Sequence, residues 1–234
     1  MKYVLKHILL IMSAFACILV FPNCRGDVIP TEGDLTSYGW VLYESGDFDD
    51  ARVWFGNAVR KDSTYIDSYN GMGWTMGHLR QPDSAIHYFE KYIIDINPNS
   101  FTEEWLDIYA GLSFAYNAMG NDDKTREYCL QFFDINNQNL ILEEGWVFSH
   151  NGEFDYFDVF VIKALSEFNL ARWDDCETTI NRVHDDPDVP NLSPFQCEQH
   201  KNNSQGDYIG FDTTAVGRED MAYHIELLQV SLAE

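Results

Sequence analysis

The residues able to do acid–base, nucleophilic or metal chemistry are scattered along this chain. Seven histidines are spread over the 234 residues, and nowhere do two Cys/His pairs at zinc-ligand spacing make up a four-ligand pattern. His184-Asp185-Asp186-Pro187-Asp188 could offer oxygens to calcium. It lacks the alternating Asp/Asn–Gly loop of a strong site, and a solvated acidic loop accounts for it as well. His150-Asn151-Gly152-Glu153 puts an imidazole and a carboxylate three residues apart, the minimum of an acid–base pair. No Gly-rich phosphate loop, Gly-x-Ser-x-Gly elbow or His-Glu-x-x-His helix occurs. A convergent set of groups is therefore missing, and the chain is read as a non-enzyme with no catalytic residue, metal site or cofactor.

Charge and composition narrow the partners. Asp and Glu number 38 against 15 Lys and Arg, a formal charge of −23 and a pI near 4.4. Such a surface repels phosphate backbones and anionic headgroups, so no nucleic-acid partner is expected. The 45% of apolar and 15% of aromatic residues set the chain apart from a disordered acidic tail. Aromatics interleaved with Asp and Asn remain as the groups with binding chemistry, and their placement depends on the elements that carry them.

A repeat organises those elements. At a shift of 34 residues Gly39-Trp40 meets Gly73-Trp74, Ala51 meets Ala85, and Phe55 meets Phe89. A third copy runs Tyr109-Ala-Gly-Leu-Ser-Phe-Ala-Tyr116 and then Gly120; a looser fourth holds Ala164-Leu-Ser-Glu-Phe168, Ala171-Arg-Trp173 and Cys176. Each copy reads as helix, tight turn, helix. The turns fall at Ser45-Gly46-Asp47, Arg80-Gln81-Pro82, Met119-Gly120-Asn121 and Leu170-Ala171-Arg172. Pro82 suits a first helical position, Pro98 follows a helix end, and Ser100-Phe-Thr-Glu103 reads as a capping box. Small residues at Gly39, Gly73, Ser113 and Ala164 let paired helices approach, while Phe55 and Phe89 plug the gap to the next pair.

This pattern resembles the tetratricopeptide repeat (TPR) family, over residues 31–133 closely and 156–183 more loosely. The third copy departs from it with Thr125 and Cys129 at the Ala and aromatic positions. The resemblance implies an all-α, right-handed solenoid of about four helix pairs over residues 34–183. Residues 134–155 form a non-repeat connector, read either as filling between repeats or as a binding loop. Residues 184–217 read as an irregular acidic loop. Residues 218–234 read as a C-terminal capping helix with Met221, Ile225, Leu228 and Leu232 on one face.

Solenoids of this family present a concave groove lined by the first helix of each pair. Counting from the small packing positions assigns it Thr36, Trp40 and Tyr43, then Asp67, Asn70 and Trp74, then Asp107, Phe114 and Asn117, and Phe168 from the fourth pair. The row Trp40, Trp74, Phe114, Leu165 fits inter-repeat core equally well. As a groove, these residues point to an assembly scaffold docking a basic protein or peptide segment. The alternative is a glycan- or nutrient-binding protein using Trp40, Trp74 and Trp146 as stacking platforms. Some family members clamp a C-terminal carboxylate with Lys and Asn; the corresponding places here are acidic or neutral, so that activity is not implied.

The N-terminus supplies an address. Lys2 and Lys6 precede an uncharged, nearly wholly apolar run from Ile8 to Phe21, the pattern of an export signal. A retained anchor, simple cleavage, and cleavage before a lipidated cysteine at Cys17 or Cys24 all fit. Cutting before Cys24 removes the whole apolar run and leaves a polar tether over residues 25–33. Residues 1–24 resemble a bacterial lipoprotein signal, with Phe21-Pro22-Asn23 in place of the usual Leu-Ala-Gly. No acid follows Cys24 directly, which points to the outer rather than the inner membrane. The expectation is an envelope protein facing the periplasm, touching the membrane through its lipid alone. Cys129, Cys176 and Cys197 remain for the fold, the first two as reduced core residues.

Overall fold

The computed structural model describes residues 29–95, 104–133, 145–184, 200–202, 208–211 and 215–231. The export signal with Cys17 and Cys24, the capping box at Ser100–Glu103, the Asp185–Asp188 cluster and Cys197 lie outside these. The chain divides after Thr31; of that first unit only an exposed stretch, residues 29–31, is described, and Glu32–Glu234 form the second.

Eight helices of the second unit form four successive pairs: α1 (Glu32–Glu44) with α2 (Phe48–Lys61), α3 (Asp67–His78) with α4 (Pro82–Asp95), α5 (Glu104–Ala118) with α6 (Asp122–Phe132), and α7 (Tyr156–Asn169) with α8 (Trp173–His184). Each second helix also packs on the first helix of the next pair, and α1, α3, α5 and α7 are neighbours in turn. This is the TPR-like helical solenoid that the repeat pattern implies.

One turn geometry recurs within all four pairs. Gly46, Arg80, Gly120 and Ala171 take φ of 81°, 58°, 68° and 56°. The following residue then reaches back to a carbonyl in the last turn of the first helix: Asp47 to Leu42, Gln81 to Met76, Asn121 to Tyr116 and Arg172 to Glu167, at 2.8–3.0 Å. This is a Schellman closure, which asks for a left-handed residue after the helix. Two copies answer with glycine, and the other two accept the strain of a side chain there. Asp47 and Asn121 then cap the second helices by accepting from the backbone N–H of Asp50 and Lys124.

The packing follows the small residues. Phe55 of α2 is wedged between Gly39 of α1 and Gly71 of α3, and a Cβ on Gly39 would come within 2.7 Å of its ring. Phe89 of α4 sits in the same way between Gly73 of α3 and Gly111 of α5. In the third pair Cys129 takes the aromatic's place, fully buried, with its thiol toward the Val159 carbonyl of α7 at 3.8 Å. Cys129 and Cys176 are both free and buried, and burial pushes both thiols up to about 12.

Two elements differ from expectation. The segment read as irregular contains an antiparallel strand pair, β1 (His200–Asn202) and β2 (Tyr208–Phe211), in register at His200–Phe211 and Asn202–Tyr208. The solenoid is thus helical with a small β-hairpin beside it, and β2 lies against α8. The terminal helix α9 (Ala215–Ser231) starts three residues early and packs on α7 and α8 through buried Met221, Ile225 and Leu228, as a cap should. Among the described residues, no helix is long and apolar enough to cross a membrane.

Candidate partner-binding site

The face expected to be an open groove carries a passenger from the same chain. Residues 145–155, the described end of the connector, fold as a short hairpin. Its frame is an antiparallel bridge between Val147 and Asp155, with the Phe148 N–H donating to the Phe154 carbonyl at 2.9 Å and Tyr156 N–H to that of Trp146 at 3.1 Å. Asn151 accepts from the Glu153 N–H at the tip. Asp155 then starts α7 with a reciprocal capping box: Phe157 N–H donates to its carboxylate and its own N–H donates to Asp158. Partial burial holds both carboxyls above their ordinary value.

Extended backbone alternates its side chains, and that alternation places the strap on the helices. Trp146 and Phe148 are 6% and 1% exposed, whereas Val147 between them is 51% exposed. Trp146 Nε1 donates to Asp107 Oδ1 of α5 at 2.8 Å. Phe148 stacks on Trp74 of α3 at 4.1 Å and 19°, with Tyr43 and Trp40 at its edges. His150 lies on Trp40 of α1, and its Nδ1 is 2.7 Å from Glu44 Oε1. On the return strand Phe154 packs against Trp74, Phe114 and His78. The strap therefore crosses α1, α3 and α5.

The expected groove residues separate accordingly. Trp40, Tyr43, Trp74 and Asp107 come together buried, with strap residues on them, and Phe114 lies half-buried against Phe154 at the strap's edge, so this face is largely covered rather than open. Trp40 Nε1 donates to Asp67 at 3.2 Å, which ties α1 to α3. Tyr43 shares a 2.8 Å hydrogen bond with His78 Nε2; burial, with Asp107 nearby, raises its phenol pKa well above the ordinary value. Burial lowers the His78 pKa, partly offset by Glu153, and the imidazole stacks on Phe48 at 4.2 Å. Asn70 is buried on the same helix, α3. Thr36, by contrast, is buried and spends its hydroxyl on the Glu32 carbonyl within α1. Asn117 sits half-buried at the end of α5, and Phe168 packs on Trp173 inside the fourth pair. His150 pairs with Glu44, not with Glu153 as an acid–base reading required.

Two buried polar atoms one helical turn apart on α3 have no hydrogen-bond partner among the described residues: Trp74 Nε1, on the indole that Phe148 covers, and Asn70 Oδ1. Among the described residues, no group of three His, Cys, Asp or Glu could hold a metal ion. Sequence reasoning missed Phe148 and Phe154 as groove ligands. Asn151-Gly152 flanked by alternating aromatics was the hairpin signal that could have found them.

No family model matches the sequence, and no curated protein matches it. Among solved structures, the chain is similar to the crystal structure of YrrB, a TPR protein with an unusual peptide-binding site. The identity is 13% and the TM-score 0.48, with 63% of this chain and 64% of that one covered.

Proposed function

We propose that this chain is a non-enzymatic protein-interaction scaffold. Its line of first helices receives an extended segment with aromatic side chains at alternate positions. Residues 145–155 hold that place until a partner segment displaces them. The observation that carries the reading is the strap itself. Trp146 and Phe148 point inward and Val147 outward, the way an extended peptide uses alternate side chains for specificity. The unpartnered Asn70 Oδ1 and Trp74 Nε1 make the strap an imperfect occupant. A buried polar group left unmade costs about 1–3 kcal/mol. A segment offering a donor to Asn70 and an acceptor to Trp74 is favoured over the strap by that margin. The charge of −23 steers basic partners toward this surface. Trp40, Trp74 and Trp146 are 5%, 5% and 6% exposed, so no observation favours their use as glycan platforms.

The scaffold is further proposed to work at a bacterial envelope, lipid-anchored at Cys24 and facing the periplasm, on the support of the pattern in residues 1–24. Incorporation of a labelled fatty acid, lost in Cys24→Ala and kept in Cys17→Ala, tests the anchor. Cross-linking in the native envelope tests docking. One protein should be captured more strongly by Phe148→Ser than by the parent chain, and lost when Trp74→Ala is added to a variant still folded by circular dichroism. Capture indifferent to both changes, or no capture at all, contradicts the reading.

A further inference from the structure

Beside the strap, a cavity of about 460 Å³ opens between α3, α4 and α5. Its floor is Phe89 with the two glycines that clasp it. Three rings wall it, Trp74, Phe114 and Phe154, with centroids 5.6–6.1 Å apart. At the rim, a Cβ added to Gly77 meets no heavy atom within 4 Å, so this stretch of helix faces open space.

The lining is selective in charge. In a chain with 38 acids, no Asp or Glu among the described residues lines the cavity, while Arg80 and His78 do. His78 Nε2 is already engaged by Tyr43. Arg80 is exposed, and its guanidinium has no ion-pair partner among the described residues. The turn holds it at φ 58°, where the first and third pairs have glycine. Ala171 shows that the turn tolerates a side chain there, so the charge, not the strain, distinguishes Arg80.

A volume of this size, apolar walls and one well-placed polar group are the features of a small-molecule site. We infer that this cavity binds a small ring-bearing carboxylate, its ring against the wall formed by Trp74, Phe114 and Phe154 and its carboxylate on Arg80. Aromatic rings favour a flat apolar body, and a guanidinium presents a fork of donors matched to a carboxylate. Phe154 of the strap is one of its walls, so the site exists with the strap in place, and its test is separate from partner capture.

The test is calorimetric titration of the full chain with 1-naphthylacetate and its neutral counterpart 1-naphthylacetamide. Saturable one-to-one binding of the carboxylate is expected, with the amide about tenfold weaker. Arg80→Asn removes the charge with a residue that suits positive φ; it should weaken the carboxylate about tenfold and leave the amide unchanged. Gly77→Leu should abolish binding of both by filling the space. Several results overturn the assignment: no saturable heat with the parent chain, equal affinity for both probes, or affinities untouched by either substitution. Tighter binding of acetyl-Gly-Gly-Phe with a free carboxylate than of 1-naphthylacetate overturns it in favour of a peptide terminus.

Discussion

The imidazole of His150 lies flat on the indole of Trp40, with ring centroids 3.7 Å apart and planes 2° from parallel. These residues are 110 positions apart in the chain, and the stack, with the Glu44 contact at 2.7 Å, pins the tip of the strap to the first helix. Aromatic pairs contribute about 0.5–1.5 kcal/mol beyond the area that they bury. A double-mutant cycle of Trp40→Ala and His150→Ala, read by urea denaturation, is expected to give a coupling of that size. Additive effects would mean that the stack contributes nothing.

The glycines on α3 are not equivalent. Gly73→Ala drives a methyl into the Phe89 ring and is expected to destabilise by about 1–3 kcal/mol, an overpacking cost. Adding Phe89→Leu should recover part of the loss. Gly77→Ala meets open space at the same helix and should stabilise by about 0.5–1 kcal/mol through helix propensity. Equal responses at the two sites in thermal unfolding would refute the wedge.

Glu167 of α7 is 0% exposed, yet it carries a charge network. Its carboxylate meets Lys163 Nζ at 2.8 Å, Arg126 Nε at 3.3 Å and Thr179 Oγ1 at 2.7 Å, joining α6, α7 and α8. Removing one member of a buried pair strands the rest and typically costs about 3–5 kcal/mol. Glu167→Leu is expected to lose that much, and Glu167→Leu with Lys163→Met distinctly less. A loss under about 1 kcal/mol for the single change would mean that the network is solvated after all.

His78 gives the fold a pH dependence of known sign. Burial lowers its pKa below the ordinary 6.5, so as pH falls the unfolded chain takes up the proton first. Its contribution is complete above about pH 6.5 and is lost as pH falls through the lowered value. Asp155 and Asp158, raised by burial, act oppositely: their protonation on acidification relieves a cost. The comparison must therefore be differential. Between pH 7.5 and 5.5, the urea midpoint of the parent chain should fall relative to that of His78→Gln. A constant difference would show that His78 does not titrate within the fold.

What was legible followed from local packing. Gly39-Trp40 and Gly73-Trp74 recur because every pair needs a small residue where its helices touch, and a 34-residue shift exposes that need directly. Gly71 and Gly111, each two residues before the small packing position of its copy, were not found, because they serve the aromatic of the preceding pair and the first copy, with no pair before it, has Ser37 there. The second and fourth turns lack the glycine that marks the others, since Arg80 and Ala171 bear the left-handed backbone. Choosing Trp40 and Trp74 as groove residues identified the right face. Its covering was hidden because Trp146 and His150 find Asp107 and Glu44 across 39 and 106 residues, with no local periodicity to announce it.

The central claim is that the first-helix face is a receptor for an extended aromatic segment, with the strap as its resident occupant. A labelled peptide of residues 145–155 can be titrated into the full chain carrying Trp146→Ser, Phe148→Ser and Phe154→Ser, followed by fluorescence anisotropy. Saturable binding is expected, at least about tenfold weaker once Trp74→Ala is added and absent with the parent chain, whose site is filled. Failure of the peptide to bind a strap variant that circular dichroism shows to be folded would contradict the claim, leaving residues 145–155 as core and no more.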